Sequence, residues 1–330
     1  MALFRRRGGS DTAGGALRVY YASDIHGTEV LWRKFLNAAA VYDAPVIVMG
    51  GDVTGKVVIP LVDEGDGVVA AELFGQRERA ATPEEREELE HRIRSNGMYP
   101  HLMTSDEVSR VAGLSVEERE VWFAEVMLHT FERWMALAED RLAGGDVRCF
   151  VMPGNDDPPG VDTAIEEAHR VEACDERIVD LGGGYTMISL GYSNRTPFDS
   201  PRELEEDELY RRVELMAGQI DDLSTCVFNL HVPPYASDLD TAPALDANLQ
   251  VLLAAGQPKM APCGSTAVRE AIEKYQPLLS LHGHVHESRG ATRIGRTLSI
   301  NPGSDYHTGR ISGVLVHLKG DRADYQFVVG

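Results

Sequence analysis

The sequence predicts an α/β fold, a layered sheet with helices outside. Two observations carry this. Short apolar runs bounded by glycine and polar residues (RVYYAS, VIVMGG, CFVMPG, CVFNL and LLSLHG) read as buried strands. Stretches of helical periodicity alternate with them towards both ends of the chain. A third observation points to function: five stretches each end in a metal-ligand type of residue. Strands that present such residues at one end build a site at the carboxyl edge of a sheet, where open α/β folds bind ligands.

Taken in order, residues 18–23 predict a strand leading to Asp24 and His26, and 28–41 an amphipathic helix. Residues 45–49 predict the next strand, which leads to Asp52. The alternation then breaks, and 56–145 form an insertion. Its first part, VVIPLVDEGDGVVAAELFG, predicts a hairpin around Asp63–Gly67. Three helices follow, announced by capping boxes: Thr82 with Glu85, Thr104 with Glu107, Ser115 with Glu118. Pro83 suits the first helical position, where no N–H is needed. The last helix is expected to run to about Leu142 and stop at Gly144–Gly145. Its stripe of Trp122, Phe123, Val126, Met127 and Trp134 reads as core, compatible with a cap over the site. A strand at 147–152 leads to Asn155, and a helix near 162–170 follows. A strand at 185–191 and a helix at 203–217 come next. The strand at 225–230 leads to His231, the helix at 266–275 follows, and the strand at 278–282 leads to His284 and His286. Residues 295–330 predict short strands and turns.

The first 16 residues, MALFRRRGGSDTAGGA, predict a disordered tail; they lack the apolar core of a signal peptide. Residues 17–330 are expected to form one domain. A hydrophobic content of 43% supplies a core, and no run of 18 apolar residues would span a membrane. The formal net charge of −20 repels nucleic-acid backbones and anionic membranes, but not a small phosphorylated substrate once cations reverse the local sign. Four cysteines lie far apart without a CxxC pair, which fits reduced thiols in a cytoplasmic protein.

The motifs gain weight from their order. Asp24-Ile25-His26 lets two alternate side chains reach one ion. Gly50-Gly51-Asp52 puts a carboxylate on a sharp turn, where its two oxygens can bridge two ions. Gly154-Asn155-Asp156-Asp157 offers an uncharged amide oxygen. His231 stands before two stiffening prolines, and Gly283-His284-Val285-His286 gives a second spaced pair. One decoy falls away: Gly50 to Lys56 has phosphate-loop spacing, but Val57 replaces the required Ser or Thr and a strand follows.

The series D-x-H, G-D, G-N, H, G-H-x-H resembles the calcineurin-like metallophosphoesterase superfamily across residues 18–286. Stretches such as GDVTGK, GYSNRTPFDSPRE and NPGSDYHTG are similar to an uncharacterised branch of small bacterial and archaeal phosphoesterases. The resemblance implies an α+β sandwich of two mixed sheets flanked by helices, four layers in all, here with the helical insertion. It implies one divalent ion held by Asp24, His26, Asp52 and His286, and a second held by Asp52, Asn155, His231 and His284, with Asp52 bridging. The mixed nitrogen and oxygen set suits Mn²⁺, Fe or Zn²⁺. The implied reaction is in-line attack of a metal-bridging hydroxide on a phosphoester, with a phosphodiester of a small or nucleotide-like substrate as the first expectation. A phosphomonoesterase or pyrophosphohydrolase, or a non-catalytic metal-binding scaffold, is the alternative.

Asn155, His231 and Asp156 are the expected catalytic positions. Here the chain departs from the family's pattern. Most members read G-N-H, with that His thought to protonate the leaving group; this chain has Asp156, a carboxyl ionised at neutral pH. Substrates with good leaving groups are therefore expected. GDVTGKV and GNDD also differ from the protein-phosphatase versions of these motifs. Arg195 and Arg310 are further candidates for phosphate contact. The 56–145 segment offers a surface for self-association as readily as a cap.

Overall fold

The computed structural model describes residues 16–246 and 248–330; residues 1–15, where most of the expected tail falls, lie outside the described residues. Two six-stranded mixed sheets form the frame. The first runs in the order Arg322–Val329, Ser312–Lys319, Leu17–Ala22, Val46–Gly50, Arg148–Met152, Val171–Ala173. The second runs Gly290–Ile294, Thr297–Asn301, Leu279–Leu281, Cys226–Leu230, Tyr185–Leu190, Ile178–Gly182. The strands that lead to the expected ligands are central and parallel: Val19 pairs with Val46 and Val46 with Arg148 in one sheet, Val227 with Leu279 in the other. Parallel neighbours bring their carboxyl ends to the same edge, so the loops after them meet.

Strand periodicity sorts the core into layers. Val19, Tyr21, Val46, Val48, Phe150 and Met152 point inward and pack on Met187, Val227, Leu279 and Leu281 of the second sheet. Their alternates, Tyr20, Ala22, Ile47, Met49, Cys149 and Val151, point outward under the helices Glu29–Val41 and Val116–Leu142. The outer face of the second sheet buries Ile188, Leu190 and Phe228 under Glu206–Ala217 and Thr266–Tyr275. The result is four layers, helix–sheet–sheet–helix.

The insertion holds more sheet than its sequence suggests. Val57–Gly65 and Val68–Leu73 form the expected hairpin, but Gln76–Ala80 and Met98–Met103 complete a four-stranded sheet. The three capping boxes form as expected, at Thr82, Thr104 and Ser115. The apolar stripe of Val116–Leu142 is core: Trp134 stacks on Trp32 at 5.9 Å, and its carbonyl accepts from the Trp32 indole at 3.0 Å. The helix expected near 162–170 is shorter, Val161–Glu166, because the chain turns into the edge strand Val171–Ala173. The helix expected from 203 begins at Glu206, after Glu203–Leu204 pairs as a strand with Ser193–Asn194. Among the described residues, no helix is long and apolar enough to cross a membrane.

Candidate metal centre

All seven expected ligands meet at the carboxyl edge. Asp24, His26 and His286 form one triad of donor atoms within 4.8 Å of one another; Asp52, His231 and His284 form another. His26 Nε2 lies 2.9 Å from His286 Nε2 and 3.8 Å from Asp52 Oδ2, which places Asp52 between the triads. Asn155 Oδ1 lies 3.0 Å from His231 Nε2 and 2.7 Å from His284 Nδ1.

The backbone is bent to bring them there. Asp24, His26, Asp52 and His284 all have left-handed backbones, with φ of 59°, 41°, 49° and 64°. Each costs of order 1 kcal/mol for such residues, and strain of this kind collects at functional sites. Two glycines are needed for close approach. A Cβ on Gly154 would stand 2.2 Å from Asp52 Oδ1, and one on Gly283 2.2 Å from Asp24 Oδ2. Each motif's glycine therefore makes room for another motif's carboxylate.

The donor chemistry fits cations. Gly50 carbonyl accepts from His231 Nδ1 at 2.8 Å, so Nε2 is the nitrogen that faces Asn155 Oδ1 and Asp52 Oδ1, the latter 3.4 Å away. Asn155 donates its amide nitrogen to Asp156, which turns its oxygen inward. Metal-ligating nitrogen and oxygen atoms thus face one another, an arrangement that a positive centre, a proton or a cation, satisfies. Burial holds His26 down at about 4 and His284 at about 3, keeping both imidazoles in the neutral, ligating form. Burial opposes charge on His231 as well, but Asp52 and Asp24 push it up to about 10; in the protein alone the carboxylates hold a proton where a cation would sit. Burial likewise opposes ionisation of Asp24, yet His286, His231 and His26 hold its carboxyl below the usual range.

Asp156 is half-buried beside these ligands. Its Oδ2 pairs with Lys56 Nζ at 2.6 Å, its Oδ1 accepts from Ser200 at 2.6 Å, and its N–H donates to Asp52 Oδ1 at 2.9 Å. Burial raises its pKa, but Lys56 and Ser200 outweigh that and hold it below the ordinary carboxylate value. Lys56 and Arg195 line the same cleft as Asp52, Asn155, Asp156, His284 and His286, and Arg310 is not among the cleft-lining residues. Of the 56–145 insertion, only Lys56 lines this cleft; other walls come from residues 195–198, 242–245, 251 and 261–263. The insertion instead braces the site from behind, where Tyr99 Oη accepts from Gly55 N–H at 2.6 Å.

Three supporting residues escaped the sequence reading. Asp157, next to Asp156, is fully buried and accepts from Val53, Thr54 and Gly154 N–H, tying the second and third motifs together. Asn301 donates its amide to the carbonyls of Val285 (2.9 Å) and Gly283 (3.3 Å), fixing the GHVH loop. Tyr306 packs its ring 4.7 Å from His26 and 5.7 Å from His286. The NPGS turn before Tyr306 was the available signal, but its partners are distant in sequence.

No family model matches the chain. A curated relative, the uncharacterised protein MJ1162 of Methanocaldococcus jannaschii, is 29% identical over 153 residues, 46% of this chain and 62% of that protein. The match thus spans less than two thirds of that relative's length. One solved crystal structure is 16% identical and superimposes over 94% of this chain and 98% of its own with a TM-score of 0.55. Similarity also extends to TT1561 of Thermus thermophilus, 13% identical over 94% of this chain and 98% of that chain, at a TM-score of 0.49. The fold of this chain is that of the calcineurin-like metallophosphoesterases.

Proposed function

We propose that the chain is a dinuclear-metal phosphodiesterase acting on a small substrate. The observation that supports this reading is the convergence of seven donors from five loops on two adjacent foci that share Asp52. Asp24, His26, Asp52 and His286 would hold one divalent ion, and Asp52, Asn155, His231 and His284 the other. Bound there, the pair would supply positive charge to a phosphoryl group and lower the pKa of water.

The chain's own residues set the rest. Lys56 and Arg195 on the cleft wall would orient the phosphoryl oxygens by charge. Asp156, ionised and paired with Lys56, has no proton to give a leaving group. Diesters with good leaving groups are therefore the better substrates, since an alkoxide leaving unaided is costly. Manganese-dependent hydrolysis of bis-p-nitrophenyl phosphate, compared with p-nitrophenyl phosphate, tests this. The diester should be turned over faster, and Asp52→Ala should abolish the rate. Two bound metals with no turnover of either compound would overturn the proposal.

A further inference from the structure

We propose that the organic part of the substrate is apolar and lies along a groove leading away from the metal ligands. This rests on the phosphoesterase reading above. Asp52, Asn155, His284 and His286 form one end of a cleft of about 620 Å³. A phosphoryl group fills only a small part of such a volume. Clefts of this size that bind organic ligands are walled mainly by apolar groups, with a few polar ones fixing orientation.

That division is present here. The charged side chains Lys56, Asp156, Arg195 and Glu287 lie in the same cleft as the ligands, with Thr196 next to Arg195, and much of the remaining wall is Pro197, Phe198, Pro243, Leu245, Val251 and Pro262. The wall is built. Thr241–Pro243 pairs antiparallel with Met260–Pro262, and Leu245 bridges to Val251. Phe198 is 61% exposed and Val251 44%, an uncovered apolar rim of a kind that marks ligand grooves. Because this wall is continuous with the metal ligands, its occupant is the group esterified to the phosphorus. Along that stretch proline, alanine, leucine and valine side chains offer a sugar's hydroxyls no partners, and the Thr196 hydroxyl is already given to Glu203, which favours an aromatic or other apolar ester.

The test uses the full chain loaded with Mn²⁺. Calorimetry would compare phenylphosphonate with methylphosphonate, and turnover would compare p-nitrophenyl phenyl phosphate with p-nitrophenyl methyl phosphate, which share a leaving group. We expect the phenyl compound to be favoured about tenfold or more in both Kd and kcat/KM, from burial of one ring face. Phe198→Ala should narrow that preference at least about threefold and leave the methyl compound unchanged. Its exposure makes the fold insensitive to the change, and Val251→Ser offers an independent variant in another segment of the wall. Equal values for phenyl and methyl compounds, with metal-dependent turnover intact, would overturn the apolar groove and leave the phosphoesterase reading standing. A preference unaltered by both variants would likewise overturn it. Failure of both phosphonates to bind and both diesters to react would overturn the two readings together.

Discussion

Asp157→Ala should destabilise the protein by about 3 kcal/mol or more, although Asp157 is not one of the expected metal ligands. Its carboxylate is fully buried and accepts four hydrogen bonds: Val53 N–H at 3.0 Å, Thr54 N–H at 2.8 Å, Gly154 N–H at 2.7 Å and the Thr54 hydroxyl at 2.5 Å. Alanine leaves three buried backbone donors without partners, at roughly 1–3 kcal/mol each, a gross cost of about 3–9 kcal/mol. An opposing effect sets the net value near the lower end. Burial, and then the charge of Asp52, push the Asp157 pKa up, so the native carboxylate carries its own penalty, which the variant relieves. Asp157→Asn keeps one oxygen and its contacts but turns an amide N–H₂ towards the other donors, and should cost about 2–4 kcal/mol. Urea unfolding in the presence of a chelator isolates this effect from metal binding. Val53 and Gly154 flank Asp52 and Asn155, so Mn²⁺ affinity of the folded variant should fall as well. A loss below about 1 kcal/mol for Asp157→Ala would refute the reasoning, because it would mean the three N–H groups find other partners.

Two further predictions address the close approach of the loops and the buried charges. Gly283→Ala would place a methyl 2.2 Å from Asp24 Oδ2 and from Ser23 Oγ, and should weaken Mn²⁺ binding at least about tenfold at a folding cost of about 1–3 kcal/mol, read by metal titration and urea unfolding; unchanged affinity would show that Asp24 is not needed as a ligand. Asp175, pushed up to about 6 chiefly by burial despite Gly191 N–H and Arg202, favours the folded state in acid. That contribution is whole below about pH 4 and is lost as pH rises through about 6, a change of about 3 kcal/mol. The stability difference between wild type and Asp175→Asn should shrink by this amount between pH 4 and 7, and a flat difference would contradict it.

The frame was legible because its signals are local. An apolar run ending in glycine, and a Thr or Ser three residues before a Glu, can each be read without knowing the rest of the chain, and every capping box formed. The gathering of the seven expected ligands was legible for a different reason: five strand ends repeat one chemical theme, and parallel pairing carries that theme to one edge. The strands missed are those whose partners decide them. QRERA has no apolar period, yet it pairs with Val68–Leu73 and salt-bridges Arg77 and Arg79 to Glu64 across the sheet.

The site's support failed to show for a related reason. Asp157 reads as one more acidic residue beside Asp156, yet their roles are opposite. Asp156 keeps an edge on the cleft and takes its counter-charge from Lys56, whereas Asp157 is turned inward and takes three backbone N–H groups from loops that are 103 and 104 residues away or immediately before it. Only the geometry separates them. It also shows that the cleft is lined by Lys56 from the insertion and otherwise by 195–198, 242–245, 251 and 261–263, where the apolar residues follow no regular spacing. A cleft wall needs only shape and apolar surface, and proline, alanine and valine supply both in any order. Metal ligation demands particular atoms at particular places and so leaves a pattern in the sequence, while an apolar wall is specified only once the chain has folded.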